Sequence, residues 1–121
     1  MIIIDKKISP KELSKIAKNL FGDMVKAVVD VEKEVVVLDA ELHADEEALL
    51  LSKESKQNNL WGINLYPEFY GKEEFIEFDS MINIRPSQGN MSRGVDDEKI
   101  RKTITNIINN QITNKWYSTK H

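Results

Sequence analysis

Residues 76–85, reading IEFDSMINIR, alternate for longer than any other stretch of this chain. On an extended backbone successive side chains point to opposite faces. Ile76, Phe78, Ser80, Ile82 and Ile84 would share one face, and Glu77, Asp79, Met81, Asn83 and Arg85 the other. Pro86 cannot donate to a ladder and is expected to end the strand. A strand with one dry face needs partner strands beside it and a layer of helix against it. The residues after the proline, SQGNMSRG, make a loop dense in amide and guanidinium groups: Gln88, Asn90, Ser92 and Arg93.

Two helices are marked by their ends. Ser9 serves as an N-cap, Pro10 takes the first helical position, and Glu12, three residues beyond the cap, completes a capping box. Ile8 and Leu13 can form a hydrophobic staple. Leu13, Ile16, Ala17, Leu20 and Phe21 keep helical spacing, and Gly22 is a natural stop. The second helix opens with Asp96 as N-cap, and Asp97 and Glu98 favour the positive end of its dipole. Ile100, Ile104, Ile107, Ile108 and Ile112 form its dry stripe, with Val95 placed to staple on Ile100.

Between the helices lie β-prone runs. Residues 24–31 and 35–38 are valine-rich, and Glu32-Lys33-Glu34 can turn them into a hairpin or lie within one long strand. Residues 46–51 are read as a strand paired with 60–66 through the polar turn 52–59. A helix begun at Asp45, which their Ala, Glu and Leu content would also suit, is the lesser alternative. In residues 60–66, Trp61, Ile63 and Leu65 face inward, against Gly62, Asn64 and Tyr66. With residues 1–5 as a further strand, the expectation is a two-layer α+β domain. It has a mainly antiparallel sheet of about five or six strands with two helices on one face. Residues 1–112 form this single domain, and 113–121 a tail in which Trp116 and Tyr117 are candidates for docking. The opposite sheet face, free of helix, is left to water, a partner subunit or a site.

Composition removes several function classes. Of the 121 residues 40% are apolar and 31% charged, ordinary for a globular domain. A net charge of −3 argues against general nucleic-acid binding. With no cysteine there is no disulfide, thiol nucleophile or cysteine-ligated cluster. The start, MIIIDKK, is too short for a signal peptide, and no run approaches a membrane span. A soluble, cytoplasmic protein is expected.

Three stretches carry a resemblance: ELHADEEALLL (41–51), SKQNNLWGINLYP (55–67) and IEFDSMINIRPSQGNMSRGV (76–95). They resemble a small prokaryotic family known as a domain of unknown function. The resemblance implies no activity, substrate or cofactor. It implies a glycine where Glu54 stands, and so a looser turn before Ser55 in this chain.

Two constellations bear on chemistry. Glu41, His43 and Asp45, spaced by two, project together if extended, and carboxylate plus imidazole suits zinc, manganese or iron. The plain alternative is a strand end with His43 hydrogen-bonded to a neighbour. Asp79, Asn83 and Arg85, with Asn64 on the adjacent strand, could hold a small polar ligand. Arg85 or Arg93 would clamp a carboxylate or phosphate, and His43 would act as acid or base. The plain alternative is surface cross-strand pairing. Gln88, Asn90 and Arg93 complete the candidate ligand set. The leading reading is a binding or interaction domain, as a homodimer or with a small polar or anionic ligand. It would use the helix-free sheet face and the 86–93 loop. The rival is a small hydrolase or transferase, metal-dependent or not, with His43 and Asp79 as catalytic candidates. No cofactor is indicated by the sequence.

Overall fold

The computed structural model describes residues 1–4 and 6–114. Five strands, β1 (Ile2–Ile4), β2 (Val25–Asp30), β3 (Val35–Leu38), β4 (Leu60–Leu65) and β5 (Ile76–Glu77), form one antiparallel sheet. Their order across it is β1-β3-β2-β4-β5. Three α-helices complete the fold: α1 (Pro10–Leu20), α2 (His43–Ser52) and α3 (Glu98–Gln111). The α+β class and the antiparallel sheet agree with expectation.

On one sheet face Leu13 and Ala17 of α1 and Ile104, Ile107 and Ile108 of α3 pack on Val25, Ala27, Val29, Trp61, Ile63 and Leu65. These are the two helices and the inward strand residues that the sequence marked. Ser9 caps α1, accepting the Glu12 N–H at 3.1 Å. Gly22 ends it at φ +95°, its N–H on the Ala17 carbonyl at 2.7 Å. The end of α3 is tied to the entry of α1. The Ile8 N–H reaches the Gln111 carbonyl at 2.8 Å, and the Thr113 N–H reaches the Ile8 carbonyl at 2.9 Å. Trp116 and Tyr117 lie outside the described residues.

The other face is not free of helix. Residues 46–51 belong to α2, not to a strand, and Leu50 packs on Val28, Val37 and Leu60. The molecule therefore has three layers, with the sheet between α1/α3 and α2. This explains the near-continuous burial of β2, where Ala27, Val28 and Val29 are all inaccessible. A strand covered on both faces loses its alternation.

Neither end of α2 carries the usual signal. Its N-cap is Leu42, whose side chain makes no capping bond. Its C-terminus is a Schellman turn: the Glu54 N–H reaches the Leu51 carbonyl at 3.1 Å and the Ser55 N–H the Leu50 carbonyl at 3.0 Å. Glu54 adopts φ +71°, the left-handed conformation that glycine favours. The turn is as tight as a glycine would make it, contrary to the looser turn expected there. The β2–β3 hairpin forms as one of the two readings had it. Buried Asp30 accepts the Glu32 and Lys33 N–H groups, both at 2.9 Å, and the Ser55 hydroxyl at 2.7 Å.

The long alternating run is the largest departure. Only Ile76–Glu77 is strand; a 3₁₀ turn at Met81–Asn83 follows, begun by Ser80. The turn rotates the chain, so Phe78 packs on the α1/α3 side while Ile82 packs under α2. At the start of α3 the cap is Asp97, accepting the Lys99 N–H at 2.8 Å, rather than Asp96.

Candidate functional site

Between β5 and α3 the chain from 80 to 96 makes a loop held by two buried asparagines. β5 pairs with β4 only at Asn64 and Leu65, which leaves the edge of β4 open from Leu60 to Ile63. Asn83 fills that gap with its side chain. Its Oδ1 accepts the Gly62 N–H at 2.8 Å, and its Nδ2 donates to the Gly62 carbonyl at 2.9 Å. A side-chain amide thus makes the paired donor–acceptor contact of a neighbouring strand. Its Nδ2 also reaches the Arg93 carbonyl at 2.9 Å. Arg85 continues along this edge, donating to the Leu60 carbonyl at 2.8 Å and to the Gln57 carbonyl, with its guanidinium 4.2 Å from the centre of the Trp61 ring. Partial burial lowers its pKa.

Asn90 holds the loop from inside. Its Nδ2 donates to the carbonyls of Asn83 and Gly94, both at 2.8 Å, and its Oδ1 accepts the Asp96 N–H at 2.8 Å. Asp96, displaced from the cap position, accepts the Met91 N–H at 2.8 Å and the Ser92 hydroxyl at 2.5 Å. These bonds hold its carboxyl below the usual range. Gln88 donates to the Asn58 carbonyl at 2.8 Å. Asn83, Arg85, Gln88 and Asn90, four of the residues proposed for ligand recognition, thus direct their polar groups to main chain.

Three apolar side chains of this loop are exposed, among exposed Ser87, Gln88, Ser92, Arg93 and Asp96. Arg85 and Asn90 pair in both directions, at 2.8 and 3.1 Å, so Ile84 and Met91 stand side by side on the opposite face. Met81 precedes Ile84 by three residues across a 3₁₀ turn, where such side chains align. The three are 65% (Met81), 38% (Ile84) and 68% (Met91) exposed.

A second cluster lies on the α2 side of the sheet. Cross-strand register sets Lys26 opposite Asn64 and Asn64 opposite Glu77, in a polar row across β2, β4 and β5. Asn64 donates to Glu77 Oε1 at 2.9 Å and to the Asp79 carbonyl at 3.2 Å. Tyr66 donates to the same Glu77 oxygen at 3.0 Å, and Arg93 Nε to Asp79 Oδ1 at 2.6 Å. His43, in the first turn of α2, donates from Nε2 to the Ile63 carbonyl at 2.8 Å. Burial lowers its pKa, partly opposed by that carbonyl, while the Lys26 charge adds to the lowering and Asp79 and Asn64 oppose it. The ring is neutral at pH 7, with a lone pair on Nδ1. Gly62 makes the approach possible: a Cβ there would lie 2.5 Å from Ser80 and 3.2 Å from His43 Cδ2. Asn64 Oδ1 is buried without a partner among the described residues.

The structure therefore gathers His43, Asn64, Asp79 and Arg93 and sends Arg85 to the far end of the β4 edge, at Leu60. Glu41 and Asp45 are exposed while His43 is buried, because a helix starting at His43 separates positions two apart. Among the described residues no three His, Asp or Glu side chains are grouped to hold a metal ion. Glu46 was not singled out by the sequence. It is fully buried one turn after His43; Oε2 accepts the Ala40 N–H at 3.2 Å and Oε1 has no partner among the described residues. Burial raises its pKa to about 9, so it is a neutral acid at pH 7. Glycine inside the β4 pattern was the one signal of close approach here. Nothing marked Glu46, because a glutamate in a helical run reads as solvated.

Residues 2–111 match the family model described as Protein of unknown function (DUF5674). The chain belongs to the DUF5674 family. The match spans every element from β1 to α3, so the 80–96 loop and the polar row both lie within the DUF5674 region. Neither a curated protein nor a solved structure matches the chain. Among the described residues no helix is long and apolar enough to cross a membrane.

Proposed function

We propose that this DUF5674 domain is an interaction module, that its docking face is the outer surface of the 80–96 loop, and that its occupant is a second copy of the chain. One observation carries this reading: a loop fixed from within by Asn83 and Asn90 leaves Met81, Ile84 and Met91 exposed to water. Single exposed apolar residues are common, but adjoining ones on an ordered segment mark contact surfaces. Methionine suits such a surface because its flexible thioether adapts to the facing side chains. A two-fold interface meets itself, so a patch made of uncharged side chains suits a second copy, with no like charges set against each other.

The test is sedimentation velocity across about 1–100 µM protein. The expected result is a concentration-dependent dimer that Met81→Lys combined with Met91→Lys abolishes, with circular dichroism unchanged. A wild-type monomer throughout, or a dimer indifferent to the double variant, would overturn the reading.

A second reading, a small polar ligand at the polar row, is favoured by the unpartnered Asn64 carbonyl beside neutral His43. A ligand donating to that oxygen would leave His43 placed as its acid–base group. Native mass spectrometry of freshly purified protein tests it. A carried small molecule, absent from Asn64→Leu, is the expected finding.

A further inference from the structure

Two adjoining hollows of about 350 and 270 Å³ run along α3 and share Phe78 and Thr105. Their floor is apolar, formed by Phe75, Ile76 and Phe78. One wall is a second stripe of α3, at Arg101, Lys102, Thr105, Asn106 and Asn109, with Glu98 at its head. These positions repeat at three and four residues, one step around the helix from the buried isoleucines. Lys72 and Glu73 face them across the groove.

We infer that this groove binds an extended peptide segment that combines an apolar side chain with acidic ones. The length fits: from Glu98 to Asn109 α3 rises about 16 Å, the span of roughly five extended residues. The charge fits as well. The lining carries three cations, Lys72, Arg101 and Lys102, against two carboxylates, in a chain of net charge −3. Lys102 lies 3.8 Å from Glu98, a loose exposed pair that a ligand carboxylate can replace. Arg101 is anchored by a donated bond to the Val95 carbonyl, which fixes one cation at the groove wall. Thr105 donates to the Arg101 carbonyl at 2.9 Å. The amides of Asn106 and Asn109 make no hydrogen bond among the described residues and are free to donate and accept. A side-chain amide complements a peptide group, and Phe78 offers an apolar seat between them. The groove shares no residue with the methionine patch and stands whether or not that patch binds a second copy.

The experiment is panning of a random octapeptide display library on the full chain, and then on Lys72→Glu combined with Lys102→Glu. Enriched peptides should pair an apolar residue with Asp or Glu and should bind the charge-reversed chain about tenfold or more weakly. Addition of one enriched peptide should shift the side-chain amide signals of Asn106 and Asn109 in ¹⁵N-labelled protein. If charge reversal disturbs the circular dichroism, Lys72→Gln with Lys102→Gln gives the same comparison at smaller amplitude. The inference is overturned if nothing enriches, if enriched peptides lack acidic residues, or if the variant binds them equally. It is also overturned if no peptide enriches and a ten-residue oligothymidylate binds wild type but not the variant, which would assign the groove to nucleic acid.

Discussion

The two faces of the sheet are held by different physics. Under α1 and α3 the core is built of aliphatic and aromatic side chains, and its residues can repack and still exclude water. Under α2 and the 80–96 loop the apolar cluster is small. Much of the cohesion comes from Asn83, Asp30, His43, Glu46 and Asn64, all buried. Hydrogen bonds there must be satisfied one by one, and each failure leaves a dry polar group. One face tolerates approximate fit; the other specifies a single arrangement.

Substitutions can sharpen this contrast. Ile104→Ala, at the centre of the aliphatic face, should lower stability by about 2–5 kcal/mol through lost burial and a residual cavity. Replacing Ile104 with Leu should restore most of it, as read by denaturant unfolding. Asn83→Ala should cost roughly 2–3 kcal/mol, because the Gly62 N–H and carbonyl and the Arg93 carbonyl lose their partners. There the near-isosteric Asn83→Leu should fail to rescue. If leucine recovered as much stability as it does at position 104, the proposed difference between the faces would not hold.

Glu46 tests the polar face through pH. Its folded pKa, about 9, lies above the ordinary value of 4.5, so between these values the folded chain keeps a proton that the unfolded chain releases. Stability from this group is full below pH 4.5 and falls as pH rises towards 9. Glu46→Gln should remove that slope and stabilise the chain by about 1–2 kcal/mol at pH 8, with little change at pH 4. Equal effects at both pH values would show that Glu46 is not held neutral. The smallest effect concerns the end of α2: Glu54→Gly should add about 0.5–1 kcal/mol by relieving a left-handed glutamate. A higher thermal midpoint is the readout.

How much of this was legible follows the same divide. The α1/α3 face was read closely, because Ser9, Pro10 and Gly22 mark α1 and the isoleucine stripe marks α3. Trp61, Ile63 and Leu65 also took their predicted side. The α2 face was not. Helix α2 begins behind Leu42, which caps nothing, and ends at a glutamate where a glycine would have announced the turn. The alternation of residues 76–85 misled for a different reason. A 3₁₀ turn can carry Phe78 and Ile82 to opposite faces while each still packs, partly buried, on an apolar cluster. Nor could spacing reveal that Asn83 pairs with Gly62 across 21 positions. Of the candidate residues, His43, Asn64, Asp79 and Arg93 were picked out by residue chemistry and lie near one another. Glu46 was missed because its neutrality comes chiefly from burial.

The closure of β4 by a side chain also bears on how the protein stays in solution. Exposed sheet borders are where chains stick to one another and seed fibrils, and proteins commonly guard them with charge, proline or a covering segment. Here the guard over Gly62 is one carboxamide, with the Arg85 guanidinium beside it on Leu60. Deamidation of Asn83 to aspartate would remove its donor and set a carboxylate against the Gly62 carbonyl, turning that guard into a repulsion. Loss of this one carboxamide would leave the Gly62 N–H and carbonyl without their partners at the middle of the border.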